Sequence, residues 1–491
     1  MKKGFDNKLY VKVQSKKIKE RIKMFDKLYL EIGGKLFNDT HAARVLPGFL
    51  EDSKINMFLE LKKDLEIIFC INASDIEKNK TRAEFGITYD MEIIKLINSS
   101  VKKGFLVNSV VITLYNNQPS VNTFINKLER HNIKTYIHTF TKGYPTNTDL
   151  IVSDEGYGAN PFIKTTKKLI LVNAPGPGSG KLATCLSQLY HEHKLGVNAG
   201  YAKFETFPVW DLPLKHPVNL AYEAATADLK DVNMIDYFHL EKYGVTAVNY
   251  NRDLETFPIL KNILNKIMDK DIYFSPTDMG VNMIGSCITN MDEVIKSSKK
   301  EIVRRNYQER CKYKQGIGEI SAIEKTKLLM NETETNELYL KTVKPALEKS
   351  KLTNTHVISL ELPNGKVITG KETNLLSPSS CLIINAIKIL SKIPDNIDLL
   401  SKTVLEPILS MHKSYLHNEN STLELNEVLL ALSICAVTNP MIENAIKNLE
   451  KLKNCDAHAT YIIEDGELNA LKNLKINLTC EPCFYSEILF L

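Results

Sequence analysis

Short apolar stretches recur along the first part of this chain, and a polar or amphipathic segment separates each from the next. "KLYLEI", "DLEIIFCINA", "NSVVITLYN", "IKTYIHTF", "TDLIVSD" and "KKLILVNA" are rich in β-branched and aromatic residues and too short for buried helices. Strands held apart by helical segments such as "SVNTFINKLERHN" cannot pair as tight hairpins, so the expected class is α/β with a largely parallel sheet. After Lys181 the apolar positions Leu182, Cys185, Leu186 and Leu189 repeat at helical spacing. "VNAGYAKFETFPV" reads as a further strand, "NLAYEAATADL" as a helix, and "KYGVTAVNYNRDLETFPILKNIL" as one more strand and helix.

From about Asp271 the texture changes. "IYFSPTDMGVNMIGSCI" is rich in loop signals, and a charged helical stretch from Asp292 to Asn331 follows, interrupted by "KQGIGEIS". Farther on, "HVISLELPNGKVITGK" straddles Asn364-Gly365, a hairpin signal. Helical segments then lead to a closing strand, helix and strand. The expected division is an α/β core over 1–290, a helical subdomain over 291–350 and a smaller C-terminal α+β domain over 351–491.

A length of 491 residues exceeds one compact core, and 43% hydrophobic with 25% charged residues is ordinary globular composition. No apolar run reaches the roughly 18 to 20 residues that cross a bilayer, and the basic start lacks the apolar segment of a signal peptide. A cytoplasmic protein without a membrane partner is the expectation. Nine scattered cysteines fit reduced, mostly packed thiols. Ten Lys/Arg among residues 1 to 27, against three acids, more than account for the net charge of +5, so no general nucleic-acid footprint is expected. Eight Lys/Arg between Lys296 and Lys314 read first as the solvated face of a long helix, and second as a patch for RNA or an acidic ligand.

The segment "KKLILVNAPGPGSGKLATCLSQLYHEH" carries the main chemical signal. A phosphate cradle needs glycines that turn backbone N–H groups inward, a helix N-terminus, and a lysine. An apolar strand, the loop "PGPGSGK" and a helix supply all three, with Gly176, Gly178, Ser179, Gly180 and Lys181 as the phosphate-binding candidates. The nucleoside-triphosphate pattern is half matched, since Pro175 stands at its first glycine and Leu182 at the hydroxyl that binds Mg²⁺. The dinucleotide pattern fails at Lys181. A phosphorylated small molecule, including a nucleotide with Mg²⁺, and a purely structural turn both remain open.

Asp154 and Glu155, at the end of "TDLIVSD", are candidates for holding a metal or orienting water. "KLFNDTHAARVLPGF" contributes His41 as an acid or base and Arg44 as an anion clamp, beside the plainer reading of a capped turn. In "SPTDMGVNMIGSC", Asp278 is a base candidate and Asn282 a polar ligand-binding one, whereas Cys287 reads as a buried thiol. His191 and His193 point to different faces of one helix, and Lys194 stands where H-E-x-x-H needs its second histidine. Cys455, His458, Cys480 and Cys483 form a set suited to structural zinc if they converge, and ordinary packing residues if they do not.

Taken together, "LYLEIGGKLFNDTHAARVLPGF", "NAPGPGSGKLATCLSQLYHE", "FSPTDMGVNMIG" and "CDAHATYI...INLTCEP" resemble a bacterial family of unknown function, domain of unknown function 1846. The resemblance spans the chain. It implies an α/β core carrying the glycine loop, a helical part and a smaller C-terminal α/β part, with the loops at Ala174 to Lys181, His41 to Arg44 and Asp278 to Asn282 forming one site. It implies no reaction, and the missing H-E-x-x-H speaks against zinc-protease chemistry.

The reading that follows is an enzyme acting on a phosphorylated small molecule, with Lys181 neutralising charge and His41 or Asp278 as base. Its rival is a noncatalytic sensor or assembly protein that docks through the basic helix. A homodimer is the default form of association.

Overall fold

The computed structural model describes residues 3–82, 86–204, 208–415 and 422–486, with the side chains of Arg82 and Lys413 left aside. It divides into two compact units. One comprises Lys2–Glu223 and Asp231–Ser298, the other Met1, Ala224–Lys230 and Lys299–Leu491.

The first unit is built on a seven-stranded sheet of β1 (Lys27–Ile32), β2 (Leu65–Asn72), β3 (Leu106–Thr113), β4 (Lys134–Ile137), β5 (Leu169–Asn173), β6 (Ala199–Phe204) and β7 (Gly280–Val281). Their order is β7-β6-β1-β5-β2-β3-β4, and every neighbouring pair is parallel. All five residues of β5 are buried, and so is β2 up to its last residue. A strand covered on both faces has no polar side to present, which is why these segments read as continuous apolar runs. Helices cover the sheet through one apolar stripe each, as in Pro119–Arg130, which buries Val121, Phe124 and Leu128.

Strand order locates the binding edge. The chain leaves β2 toward β3 and β4, but leaves β5 toward β6 on the opposite side of the sheet. Between the carboxyl ends of β2 and β5 the connections therefore diverge and open a crevice, the usual ligand position in open α/β sheets.

One expected strand is absent. "TDLIVSD" forms a helical turn over Thr148–Ile151, because Asn147 caps it by accepting from the Leu150 amide at 3.1 Å. Asp154 and Glu155 therefore follow a turn and do not end a strand.

The second unit carries a four-stranded sheet of β8 (Val357–Glu361), β9 (Val367–Lys371), β10 (Asp456–Ala459) and β11 (Asn477–Cys480), in the order β9-β8-β10-β11. Asn364-Gly365 turns the β8–β9 hairpin, with Gly365 at φ +83°. Helices Pro378–Leu390, Leu425–Ala436 and Asp465–Asn473 pack around this sheet and a neighbouring apolar cluster.

The helix Met291–Lys314 is not the solvated element its charge suggested. Glu301, Ile302, Val303, Arg304, Asn306, Tyr307 and Glu309 are buried. Three of its cations pair inside the second unit: Asp456 accepts from Lys300 at 2.7 Å and from Arg304 at 2.6 Å, and Glu301 from Arg304 and Arg305 at 3.0 and 3.2 Å. Among the described residues, no helix is long and apolar enough to cross a membrane.

Candidate functional site

The glycine segment runs from β5 into the helix Lys181–Lys194, so the expected succession of strand, glycine loop and helix is present. Gly178 and Gly180 adopt φ of +71° and +78°, a region side chains other than glycine's enter at a cost. A Cβ on Gly180 would lie 2.7 Å from the side chain of Thr113, and one on Gly176 would collide with the Tyr89 hydroxyl. Conformation and crowding thus both require glycine at 180, and crowding requires it at 176.

Neighbouring strand ends hold the loop by its carbonyls. Thr113, which ends β3, donates to the Ser179 carbonyl at 3.0 Å, and Asn72, which ends β2, donates to the Gly178 carbonyl at 3.3 Å. The Ser179 hydroxyl bonds the Gly176 carbonyl at 2.8 Å. Among the described residues, no acceptor meets the backbone N–H groups of Gly178, Gly180, Lys181 and Leu182, and Gly180 supplies no side-chain cap to its helix. Three of the loop's carbonyls are therefore satisfied while these donors stay open. No ion pair engages Lys181 among the described residues. Thr184, the nearest hydroxyl downstream, is buried and accepts from Cys70 Sγ at 3.5 Å, so it is spent on packing.

Beside the loop, the face of the sheet covered by this helix carries charge. Glu31 lies one residue from the end of β1, in register with Val172 of β5 and Lys203 of β6. It accepts from the Tyr201 hydroxyl at 2.7 Å, and Lys203 pairs with Asp253 at 2.7 Å. Burial opposes the charge on Lys203, but Asp253 and Glu31 outweigh it and hold the ammonium above its ordinary range. Tyr29, two positions before Glu31 on β1, donates at 3.0 Å to Glu192 of the helix that Lys181 begins, which puts Glu31 on the side of the sheet this helix covers. Burial pushes the Cys70 thiol up to about 12 and Cys185 well up too, so neither is a nucleophile at neutral pH. A charged residue inside a strand otherwise apolar, as in "LYLEI" and "GYAKF", is the signal that marks Glu31 and Lys203.

The remaining candidates are more dispersed. His41 is buried on the short helix Thr40–Val45, which Asp39 caps, and its ring meets Tyr222 edge-on at 4.7 Å. Arg44 is half-buried on the same helix. The Asp278 carboxylate closes a capping box, accepting from the Phe274 and Ser275 amides at 2.9 and 3.1 Å and from the Tyr243 hydroxyl at 3.0 Å. Asn282 is buried after β7, its side chain accepting from the Ile284 amide at 3.0 Å. Burial pushes the Cys287 thiol up, and it bonds the Met283 carbonyl at 3.1 Å.

Asp154 and Glu155 are not brought to the glycine loop. Asp154 bonds Tyr190 at 2.9 Å and pairs with Lys194, at the far end of the helix that Lys181 begins; thirteen residues at 1.5 Å each separate the two lysines by about 20 Å. Glu155 pairs with Lys142 at 3.4 Å. His191 and His193 bond different carbonyls, those of Asn160 and Ala199. Cys455, His458, Cys480 and Cys483 do not assemble a zinc site: among the described residues no group of three or more His, Cys, Asp or Glu side chains is disposed to hold a metal. His458 instead bonds Thr479 at 2.8 Å, with the Glu481 carboxylate 3.3 Å from its other ring nitrogen.

Comparison with known proteins gives a consistent picture. Residues 3–334 match the family model described as "Domain of unknown function DUF1846, N-terminal", and residues 339–490 match "Domain of unknown function DUF1846, C-terminal". A UPF0371 protein of Clostridium botulinum (strain Eklund 17B / Type B) is 53% identical, covering 100% of this chain and 99% of the relative. One of Clostridium tetani (strain Massachusetts / E88) is 52% identical with the same coverage.

Proposed function

We propose, for a chain that belongs to the DUF1846 family across both of its matched parts, that the first unit binds a phosphorylated small molecule at the glycine loop and acts on it as an enzyme. The observation that carries this reading is the imbalance within the loop. Three of its carbonyls, those of Gly176, Gly178 and Ser179, are tied by Ser179, Asn72 and Thr113, whereas the N–H groups of Gly178, Gly180, Lys181 and Leu182 meet no acceptor among the described residues. Amides directed at an anion, a helix N-terminus and a lysine together bind phosphate oxygens strongly.

Lys181 would neutralise charge that develops during reaction. Glu31, with Lys203 beside it, is a carboxylate on that face suited to move a proton, and Arg44 and His41 follow the same strand, β1. Leu182 in place of a hydroxyl, and the engagement of Thr184 with Cys70, favour a phosphorylated substrate over a triphosphate held through Mg²⁺ at this position.

Isothermal titration of ATP, GTP, NAD and sugar phosphates into wild type and Lys181→Ala tests the proposal. The expected result is binding of at least one phosphate compound, weakened tenfold or more in the variant. Unchanged affinity in the variant, or no binding of any of them to wild type, would overturn it.

A further inference from the structure

In the second unit the amino ends of three helices meet at one small pocket. Ser377 caps Pro378–Leu390, and Glu424 and Glu464 stand at the cap positions of Leu425–Ala436 and Asp465–Asn473. These three residues line a cavity of about 40 Å³ together with Glu467, Tyr461 and Tyr485.

Helix amino ends favour anions, and the protein has supplied its own. Glu467 is buried and accepts from Ser377, Ser379 and the Leu425 amide, the last at 3.3 Å. Glu424 accepts within its capping box. Among the described residues, no basic side chain pairs with Glu424, Glu464 or Glu467 at ion-pair distance, although Glu427 nearby takes His412 at 2.8 Å. Burial, and then the neighbouring carboxylates, raise the Glu424 carboxyl above its ordinary range.

A cluster of carboxylates would by itself mean little. Tyr461 is the independent observation: it is 2% exposed, lines the pocket, and its hydroxyl has no hydrogen-bond partner. An orphan buried hydroxyl costs about 1–3 kcal/mol, which a bonding group in the pocket, from water or from a ligand, would recover. Its ring meets Tyr485 at 5.1 Å in a T-shaped arrangement, giving the pocket an aromatic wall.

We propose that this pocket binds the ammonium head of an organic amine, with Glu424, Glu464 and Glu467 supplying charge, Tyr461 accepting an N–H, and the two tyrosine rings facing the cation. An ammonium suits a carboxylate-and-aromatic wall because it gains from both charge and ring quadrupole. A bare divalent metal fits less well, since no described group of three or more side chains is disposed to ligate one. The cavity exceeds the roughly 10–15 Å³ needed for one water but is too small for a ring, so it would take the end of a longer molecule. The site uses no residue of the glycine loop and stands apart from the function proposed above.

The test is calorimetric titration of the full chain with n-propylammonium, putrescine and arginine methyl ester, with MgCl₂, CaCl₂ and sodium phosphate as further arms. Glu464→Gln is the main variant, because Glu464 is exposed and its replacement leaves packing intact. Tyr461→Phe is the second, removing the orphan oxygen and keeping the ring. Amine binding that weakens fivefold or more in Glu464→Gln, and also weakens in Tyr461→Phe, supports the site. Binding of Mg²⁺, Ca²⁺ or phosphate only, amine binding equal in all three proteins, or no amine binding would overturn it.

Discussion

Gly180 carries two constraints that act independently. Its φ of +78° asks a side chain to enter a region worth about 1 kcal/mol or more of strain, and a Cβ there would press on Thr113. Gly180→Ala should therefore destabilise the first unit by about 2–3 kcal/mol in chemical denaturation. Adding Thr113→Ala should recover only the steric share, leaving a residual cost; complete recovery would mean that the backbone had been free to relax. Asp39, at the cap of the helix Thr40–Val45, shows how far charge can be hidden. Burial favours its neutral acid, but Lys54 at 2.7 Å outweighs that and holds the carboxyl below its ordinary range. The glycines and Lys181 were visible in the sequence because their spacing is local. That Asp278 closes a cap was not, since a lone Asp after Ser-Pro-Thr reads equally as a cap or a base.

Among the elements, the helix Met291–Lys314 departs furthest from its composition. Counting charges along it suggested a solvated face, yet Lys300 and Arg304 meet Asp456 on β10, more than 150 positions later in the chain. No local pattern encodes such a partner. Removing one member leaves buried cations uncompensated, so Asp456→Asn should cost about 3–5 kcal/mol. The pH dependence has a definite sign. Burial opposes ionisation of Asp456, but Arg304 and Lys300 outweigh it and hold its folded pKa below the unfolded value of about 3.9. Its contribution is therefore complete above that value and is lost as pH falls through the folded pKa. Denaturation followed from pH 7 to 2 should show the wild type and Asp456→Asn converging below about pH 4; a constant gap would refute the assignment. The segment "TDLIVSD" failed in the opposite way, because Asn147 offered a cap that overrode a strand-like run of apolar residues.

At the scale of the whole molecule, the two units have their own sheets and apolar clusters, so perturbations should report locally. Hydrogen exchange should show Gly180→Ala speeding exchange first around β5 and the helix after it, and Asp456→Asn first in β8 and β10. Equal acceleration across both would argue for a single cooperative unit. The class of the first unit, most of its strands and the position of the glycine loop were set by sequence, because hydrophobic periodicity and turn chemistry act over a few residues and are written in order; the two-residue β7 is too short to leave such a pattern. Strand order was not, since nothing local says that β5 inserts between β1 and β2, and that insertion opens the crevice beside the loop. The company that Glu31 keeps with Lys203, the internal neutralisation of the basic helix and the meeting of three helix ends at Tyr461 were likewise decided in three dimensions. Each depends on which distant side chains share a buried, weakly screened space, and a linear pattern carries no record of that.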